Sequence, residues 1–299
     1  MKKAFRPNNS FFSIFYLPVF ILFFFHLIQF PGIAQSGSEI GIPPIKAYPP
    51  NVYKGHHQVW SAVEDNRGIM YFGTSNGIVE FDGVSWRKVD LLKEFGSSNV
   101  RFLGKDPNGK VFFGGSDFGY LEVDPFGFTR PKSLKSFFSN KEDLYGDIWS
   151  LVFSGNKIFG QAREFLFRLE LNEDNTAKEF KIWKPETSFM YAFDKDGEVI
   201  VHELGKGLFK VVGEELEFIE GSEILGDERV QVMVPLDESP GGKKRYLFGM
   251  FFSGFILYDG EKFQPFKSEI DPFVKNGSVI YKGISLPDGN LAFSLLGEG

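Results

Sequence analysis

The chain has 299 residues, a formal net charge of −6 and no cysteine. Without cysteine, a disulfide framework, a thiolate zinc site, a cysteine nucleophile and a lipoprotein anchor are all excluded. The acidic balance argues against a protein that binds the phosphate backbone of a nucleic acid. The 34 glycines and 37 phenylalanines argue against disorder and favour an all-β fold.

The first 34 residues are predicted to be an export signal. Three cations within the first six residues precede an apolar run over 11–30, and the small residues Gly32 and Ala34 suit cleavage after Ala34. An uncleaved signal-anchor is the alternative, because about 20 apolar residues can span a bilayer. Either way the body is expected to be exported, to the periplasm or to the outer face of the inner membrane. Residues 35–299 then hold 30 Lys and Arg against 39 Asp and Glu, a net charge of −9.

A repeated unit of four short apolar runs, separated by glycine-containing turns, occupies most of the remaining chain. Asp-x-x-Gly and Asp-Gly mark the turns, because glycine supplies a positive φ and Asp caps its own turn. In the first copy we place the four strands at 59–63, 69–72, 78–81 and 86–89. The third strand of successive copies opens at residues 77, 119, 165, 207, 254 and 299, which are 42, 46, 42, 47 and 45 residues apart. A period near 44 predicts a β-propeller of four-stranded blades.

The period also predicts the domain organisation. Residues 1–34 are the signal, 35–52 an N-terminal extension in which 40–48 could add a closing strand, and 53–299 the propeller, with five blades and half of a sixth. An open array of blades leaves faces and strand edges exposed. We therefore expect the fold to be incomplete at the C-terminus and the chain to be the front part of a longer protein, or a truncated product of one.

The phenylalanine excess has two sources, the signal segment and packing between blades. Stacked blade faces need large apolar side chains, and Phe72, Phe81, Phe113 and Phe248 are interpreted in this way. A β-sandwich is the alternative all-β fold, but its strands would not repeat so regularly every 44 residues.

A specific motif series runs through residues 41–125. Its parts are Gly-Ile-Pro-Pro-Ile at 41–45, Trp-Ser at 60–61, Asp-x-x-Gly at 65–68, Tyr-Phe-Gly at 71–73 and Gly-Ile-Val-Glu-Phe-Asp-Gly-Val-Ser-Trp at 77–86. This series resembles the two-component regulator propeller family, closely over 41–125 and more weakly, but in phase, to 299. The third repeat departs from the family pattern over 162–165, and the fourth has His202 at the usual glycine.

The resemblance implies a sensor propeller outside the cytoplasmic membrane. In the family such propellers usually precede a transmembrane helix and an output module, such as a histidine kinase, a cyclase, a phosphatase or a DNA-binding domain. That module is absent from this sequence, so the resemblance implies the input region of a longer receptor.

One face of the predicted propeller carries the candidate ligand site. Connections between blades and between second and third strands share this face, whereas the Asp-x-x-Gly and Asp-Gly turns lie on the other face and are interpreted as structural. Counting five residues back from Asp65 and its equivalents gives most of a candidate ring at the channel mouth. Trp149 is placed by the match of Trp-Ser at 149–150 to Trp-Ser at 60–61, and the irregular first loop of the fifth blade leaves two choices there. The members of the ring are Trp60, Arg101, Trp149, Phe189, Gln231 and Tyr281, with Arg229 as the alternative in the fifth blade.

Aromatic rings and guanidinium groups around a channel mouth suit stacking on a sugar or another flat ligand. The alternative is that they plug the channel as core. Polar groups in the turns of the same face could orient a ligand. The candidates are Asn76, Asp117, Arg163 and His202.

Signals for catalysis are weak. His56-His57 is interpreted as a solvated loop pair, and no metalloprotease, nucleophile-elbow, phosphate-loop or dinucleotide motif is present. The sequence therefore predicts no enzyme, no metal, no cofactor and no nucleic-acid partner. It favours a sensor of a small molecule or glycan that signals through a downstream membrane segment and output module. A free periplasmic protein-interaction propeller and a propeller lyase or glycosidase stay open as alternatives.

Overall fold

The structure, a computed structural model, describes residues 45–89, 91, 99–137, 146–172, 174–236 and 242–297. The chain divides into two units, Met1–Ala47 and Tyr48–Gly299, and the second unit contains all the described strands. The predicted signal, most of the predicted closing strand and Gly299 lie outside the described residues. No helix in the described part is long and apolar enough to cross a membrane.

The described strands form five four-stranded antiparallel sheets and one two-stranded sheet, each a simple meander. Blade 1 contains β1 (Val59–Glu64), β2 (Met70–Thr74), β3 (Gly77–Phe81) and β4 (Trp86–Val89). Blade 2 contains β5 (Val100–Lys105), β6 (Val111–Gly115), β7 (Phe118–Val123) and β8 (Thr129–Ser133). Blade 3 contains β9 (Ser150–Ser154), β10 (Lys157–Gln161), β11 (Leu166–Leu171) and β12 (Ala177–Trp183).

Blade 4 contains β13 (Phe189–Lys195), β14 (Glu198–Glu203), β15 (Gly207–Val212) and β16 (Glu215–Phe218). Blade 5 contains β17 (Val230–Leu236), β18 (Arg245–Met250), β19 (Gly254–Tyr258) and β20 (Phe263–Phe266). The two-stranded sheet contains β21 (Val279–Ser285) and β22 (Leu291–Leu296). Short helical segments are α1 (Pro50–Tyr53), α2 (Asp271–Lys275) and two 3₁₀ turns, Lys135–Phe137 and Ser222–Leu225.

The predicted all-β fold of four-stranded blades is confirmed. In blade 1 every strand end lies within two residues of its predicted place, and the third strands of blades 1, 4 and 5 begin at Gly77, Gly207 and Gly254. The first turn of blade 1 also follows the predicted chemistry. Gly68 has a φ of +80°, and Asp65 Oδ1 accepts the backbone N–H of residues 67 and 69. Local turn chemistry and the glycine spacing are therefore sufficient to set the strand boundaries.

The core is divided into five apolar clusters, and each cluster joins two successive sheets. The innermost strands β1, β5, β9, β13, β17 and β21 lie side by side in chain order. Phe113 and Phe248 are buried in these clusters, as the sequence indicated. Phe72 and Phe81 are half-buried, and their rings lie 5.4 and 4.5 Å from that of Trp86. Burying a large apolar side chain contributes about 1.5–3 kcal/mol, so Phe113 and Phe248 help to hold successive sheets together. The interpretation of Phe72 and Phe81 as packing between blades is not confirmed, because both rings pack on Trp86 of their own sheet.

Candidate ligand-binding site

A β-bulge near the start of the innermost strand positions several of the ring residues. In blade 1 the register of β1 against β2 shifts between Val59 and Ser61, which leaves Trp60 as the extra residue. The same shift isolates Arg101 in β5 and Tyr281 in β21. An extra residue in a bulge is unpaired, and its side chain is turned out of the regular alternation of the strand. The bulges therefore free these three side chains from the packed faces of their sheets.

The freed side chains meet one another and Trp149. The Arg101 guanidinium lies 4.3 Å from the ring centre of Trp60 and 4.6 Å from that of Trp149. The rings of Trp60 and Tyr281 are 6.4 Å apart. These four residues belong to four different sheets or their leading loops, and all are partly exposed. We name this set the mouth ring.

Hydrogen bonds hold the mouth ring in place. The Trp60 Nε1–H donates to Ser75 Oγ at 2.8 Å, and Arg101 Nε donates to Asp147 Oδ2 at 3.2 Å. Asp147 also accepts from Ser116 Oγ at 2.9 Å. The Trp60 and Arg101 side chains are therefore fixed before a ligand arrives, which lowers the entropy cost of binding.

Three further cations and one phenol lie beside the mouth ring. The Arg163 guanidinium is 5.1 Å from the ring centre of Trp149, and Lys282 Nζ is 5.3 Å from that of Tyr191. Arg229 lies 3.9 Å over the ring of a neighbouring phenylalanine at position 251. Burial raises the pKa of Tyr191 to about 12, against the opposing effect of Arg163, Arg229 and Arg101. The Tyr191 phenol is therefore protonated at neutral pH and can donate a hydrogen bond.

The structure does not bring Phe189 to the mouth ring. Phe189 is fully buried between blades 3 and 4, and Tyr191 lies beside the ring instead. The reason is the length of the first turn, which encloses five residues after Glu64 in blade 1 but only two after Lys195 in blade 4. In both blades the mouth residue lies four positions before the last residue of the first strand that pairs with the second strand, Glu64 in blade 1 and Lys195 in blade 4. Counting five positions back from Asp194 therefore gives Phe189, two positions before Tyr191.

A pattern in the sequence could have identified Tyr191. In three blades the mouth aromatic is followed by a small residue, and the pairs are Trp60-Ser61, Trp149-Ser150 and Tyr191-Ala192. The small residue has a structural purpose, because Ser150 Oγ accepts the backbone N–H of Ala192 in the next blade at 3.0 Å. No comparable sequence pattern marks Lys282 as a residue of the mouth.

Gln231 also lies away from the ring. Only 5% of its surface is exposed, and its Oε1 has no hydrogen-bond partner in the described part of the chain. Arg229, two residues earlier, is partly exposed and contributes its charge near Tyr191 and Tyr281. In blade 5 the structure therefore brings the alternative residue, Arg229, to the mouth.

Of the four candidate turn residues, only Arg163 reaches the ring. Asn76 Oδ1 accepts from Lys88 Nζ at 3.2 Å, on the outer strand of blade 1. Asp117 is buried, and its carboxylate accepts from Ser133 Oγ at 2.8 Å. Burial raises the pKa of Asp117.

His202 is fully buried and makes a contact between blades 4 and 5. Its Nδ1 accepts the backbone N–H of Val230 at 3.4 Å, and burial lowers the pKa of the imidazole to about 4. In blade 2 the corresponding residue is Gly114, which packs against the segment that leads into blade 3. A Cβ on Gly114 would lie 3.0 Å from Ile148 Cγ2. His202 thus replaces a close glycine contact with a hydrogen bond.

Among the residues that the structure describes, no group of three or more His, Asp or Glu is arranged to hold a metal ion. The mouth instead offers aromatic faces, guanidinium N–H donors, an ammonium and a phenol. Such groups bind ligands by stacking and by charge-assisted hydrogen bonds.

Comparisons with known proteins identify solved structures of the same fold. No family model matches the sequence, and no curated protein matches it. The extracellular domain of the hybrid two-component system BT4673 from B. thetaiotaomicron superposes with a TM-score of 0.58 at 13% identity, over 79% of this chain and 30% of that one. The extracellular domain of BT3049, a hybrid two-component system of the same organism, gives a TM-score of 0.56 at 15% identity, over 83% and 34%.

A third similar structure is YCF48 bound to D1 peptide, with a TM-score of 0.51 at 14% identity over 80% of this chain and 79% of that chain. At these identities the similarity shows the fold. The chain spans about a third of the length of the two extracellular domains. These neighbours include extracellular domains of the class of protein that the sequence resemblance indicated.

Proposed function

We propose that this chain is the extracytoplasmic, ligand-sensing input region of a two-component-type receptor, and that the ligand binds at the mouth ring. The observation that carries the proposal is the meeting of Trp60, Arg101, Trp149 and Tyr281 from separate sheets at one place. The fold that the chain shares with extracellular domains of hybrid two-component systems supports it.

A ligand at this position would report its presence through the packing of the blades. Each of the five apolar clusters joins only two successive sheets. A ligand that contacts several sheets at once binds more tightly to one arrangement of those sheets than to another. Because a ligand shifts a conformational equilibrium by its difference in affinity for the two states, binding would favour that arrangement. The shift would pass to a membrane segment and an output module in a longer protein.

We assign the site a binding role and no catalysis. The Asp147 carboxylate beside the ring is engaged by Arg101 and Ser116. Hydrolysis by a glycosidase needs two carboxyl groups that flank the bond to be cleaved. The described mouth residues offer cations and aromatic rings instead, which bind a ligand without cleaving it.

The proposal is tested by ligand binding to the full chain and to two mouth variants. Trp60→Ala and Arg101→Ala should abolish the binding, measured by calorimetry, of a soluble oligosaccharide that the unchanged chain binds, without a shift in melting temperature. Phe126→Ala is the matched control, because Phe126 is 85% exposed in a turn on the opposite face. Normal binding by both mouth variants would contradict the site, and cleavage of the glycan would indicate an enzyme.

A further inference from the structure

We propose that the ligand of the mouth ring is acidic, a sugar that carries carboxylate or sulfate groups, and that Arg163, Arg229 and Lys282 bind those groups. This inference rests on the proposed function, because it assigns the chemistry of the ligand at the same site. The observations that carry it are the number of cations at the mouth, their lack of carboxylate partners and their contacts with aromatic rings.

Arg101, Arg163 and Arg229 act electrostatically on the phenol of Tyr191, and Lys282 Nζ lies 5.3 Å from the centre of its ring. These four cations come from four different sheets or their loops. Arg101 has a carboxylate partner, Asp147. No carboxylate in the described ranges forms an ion pair with Arg163, Arg229 or Lys282. Like charges held close together repel one another unless an opposite charge is present. Three unpaired cations at one mouth are therefore a place where an anion is stabilised.

The two guanidinium groups each lie against an aromatic ring. Arg229 lies 3.9 Å over Phe251, and Arg163 lies 5.1 Å from the centre of the Trp149 ring. A guanidinium that stacks on a ring keeps its in-plane N–H groups available, and this planar fork matches a carboxylate or sulfate. In Arg163 one of these groups, Nη1, already contacts Met190 Sδ at 3.3 Å. The remaining donors can bind an acidic group.

Lys282 strengthens the charge of the mouth. The surrounding protein desolvates its ammonium group and so lowers the pKa of Lys282. A bound anion would stabilise the charged ammonium and offset that desolvation. Because residues 35–299 carry a net charge of −9, the mouth is a cationic region on an acidic protein. A local field of this kind selects ligands of opposite charge.

The aromatic side chains favour a sugar as the carrier of the charge. Trp60, Trp149 and Tyr281 are partly exposed at the same mouth, and indole and phenol faces pack well against flat, partly apolar ligands. An acidic sugar would place its charged groups against the guanidinium groups and its sugar rings against the aromatic rings, and so would contact both kinds of side chain.

The test uses the full chain and two pairs of probes. Tetragalacturonic acid is compared with its methyl ester, and a heparin-derived tetrasaccharide with its desulfated, carboxyl-reduced form, each by calorimetry at 20 and 200 mM NaCl. We expect an acidic probe to bind about tenfold or more tightly than its neutral partner, and to weaken as salt rises. Arg163→Gln and Arg229→Gln should each lower its affinity about tenfold.

Arg130→Gln is the matched control, because Arg130 is exposed on the outer strand of blade 2 and pairs with Asp124. Circular dichroism melts identify any variant that fails to fold, in which case Arg163→Lys, which keeps the charge and loses the planar fork, replaces it. If a neutral probe binds as tightly as its acidic partner, and Trp60→Ala abolishes that binding, the acidic ligand is overturned and the proposed function stays intact. Binding of no probe would overturn the acidic ligand, and binding that Trp60→Ala leaves unchanged would overturn both proposals.

Discussion

His202 shows how a single side chain links the fold to pH. Its imidazole is fully buried against Val230, and burial lowers its pKa to about 4, below the value of about 6.5 for an exposed histidine. The unfolded chain therefore binds a proton more readily than the folded chain between these two values. The stability that the neutral imidazole provides is present above about pH 6.5 and is lost as pH falls toward 4.

We therefore predict that His202→Gln reduces the sensitivity of the protein to acid. Between pH 7 and pH 5 the unchanged chain should lose about 2 kcal/mol more unfolding free energy than the variant does, because glutamine does not titrate. Urea unfolding of both proteins at the two pH values measures the difference. An identical loss in both would mean that the imidazole is hydrated in the folded state.

Residue positions at the mouth were only partly predictable from the sequence. Trp60, Arg101 and Tyr281 followed from a constant offset, because the first turns of their sheets have the same length. The offset failed for Phe189, since the shorter turn of blade 4 moves the strand by two residues. The unpaired charge of Arg229 and Lys282 depends on which side chains meet across sheets, and a local pattern does not contain that information.

At the scale of strands, a buried polar network joins β3 of blade 1 to β8 of blade 2. Thr129 Oγ1 donates to Glu80 Oε2 at 2.5 Å and lies 3.1 Å from the Tyr71 hydroxyl. Arg87 Nε completes the network at 2.8 Å from Glu80 Oε1. Because the Glu80 carboxylate is 4% exposed, a lost donor leaves a buried charge undersatisfied.

Thr129→Val should therefore lower the free energy of unfolding by about 1–3 kcal/mol. The double variant Glu80→Leu with Thr129→Val should be less destabilised than the sum of the two single variants, because the orphaned carboxylate is gone. Chemical denaturation of all four proteins gives the coupling energy. Val84→Thr, the reverse exchange at a turn position of blade 1 that is 87% exposed, serves as the control with an expected change within about 0.5 kcal/mol. Strict additivity would show that water, rather than Thr129, satisfies Glu80.

The order of the strands was predictable because each sheet is a local meander. Turn residues and apolar runs repeat every 44 residues or so, and neighbouring strands in the chain are neighbours in the sheet. The network around Glu80 was not predictable, because it joins residues 49 positions apart in different blades. Nothing in the spacing of Glu80 or Thr129 distinguishes them from solvated residues.

At the scale of the whole molecule, the sheets form a series in which each apolar cluster joins two neighbours. In such repeat arrays stability is approximately the sum of the intrinsic terms of each unit and the interface terms between neighbours. The two-stranded sheet shares its cluster with blade 5. Its strand β22 has no buried residue, whereas five of the six residues of β14 are buried. Local opening should therefore be easiest at this sheet.

Hydrogen exchange measured by mass spectrometry should show this gradient. We expect the amides of β22 to exchange faster than those of β14 under native conditions, because opening β22 exposes less apolar surface. Ile280→Ala, which removes a fully buried side chain from the cluster shared with blade 5, should speed exchange in β21 and β22 and leave blade 3 unchanged. If protection fell equally in every sheet, the molecule would open as one cooperative unit, and ligand-induced tilts between blades would be a poor route for a signal.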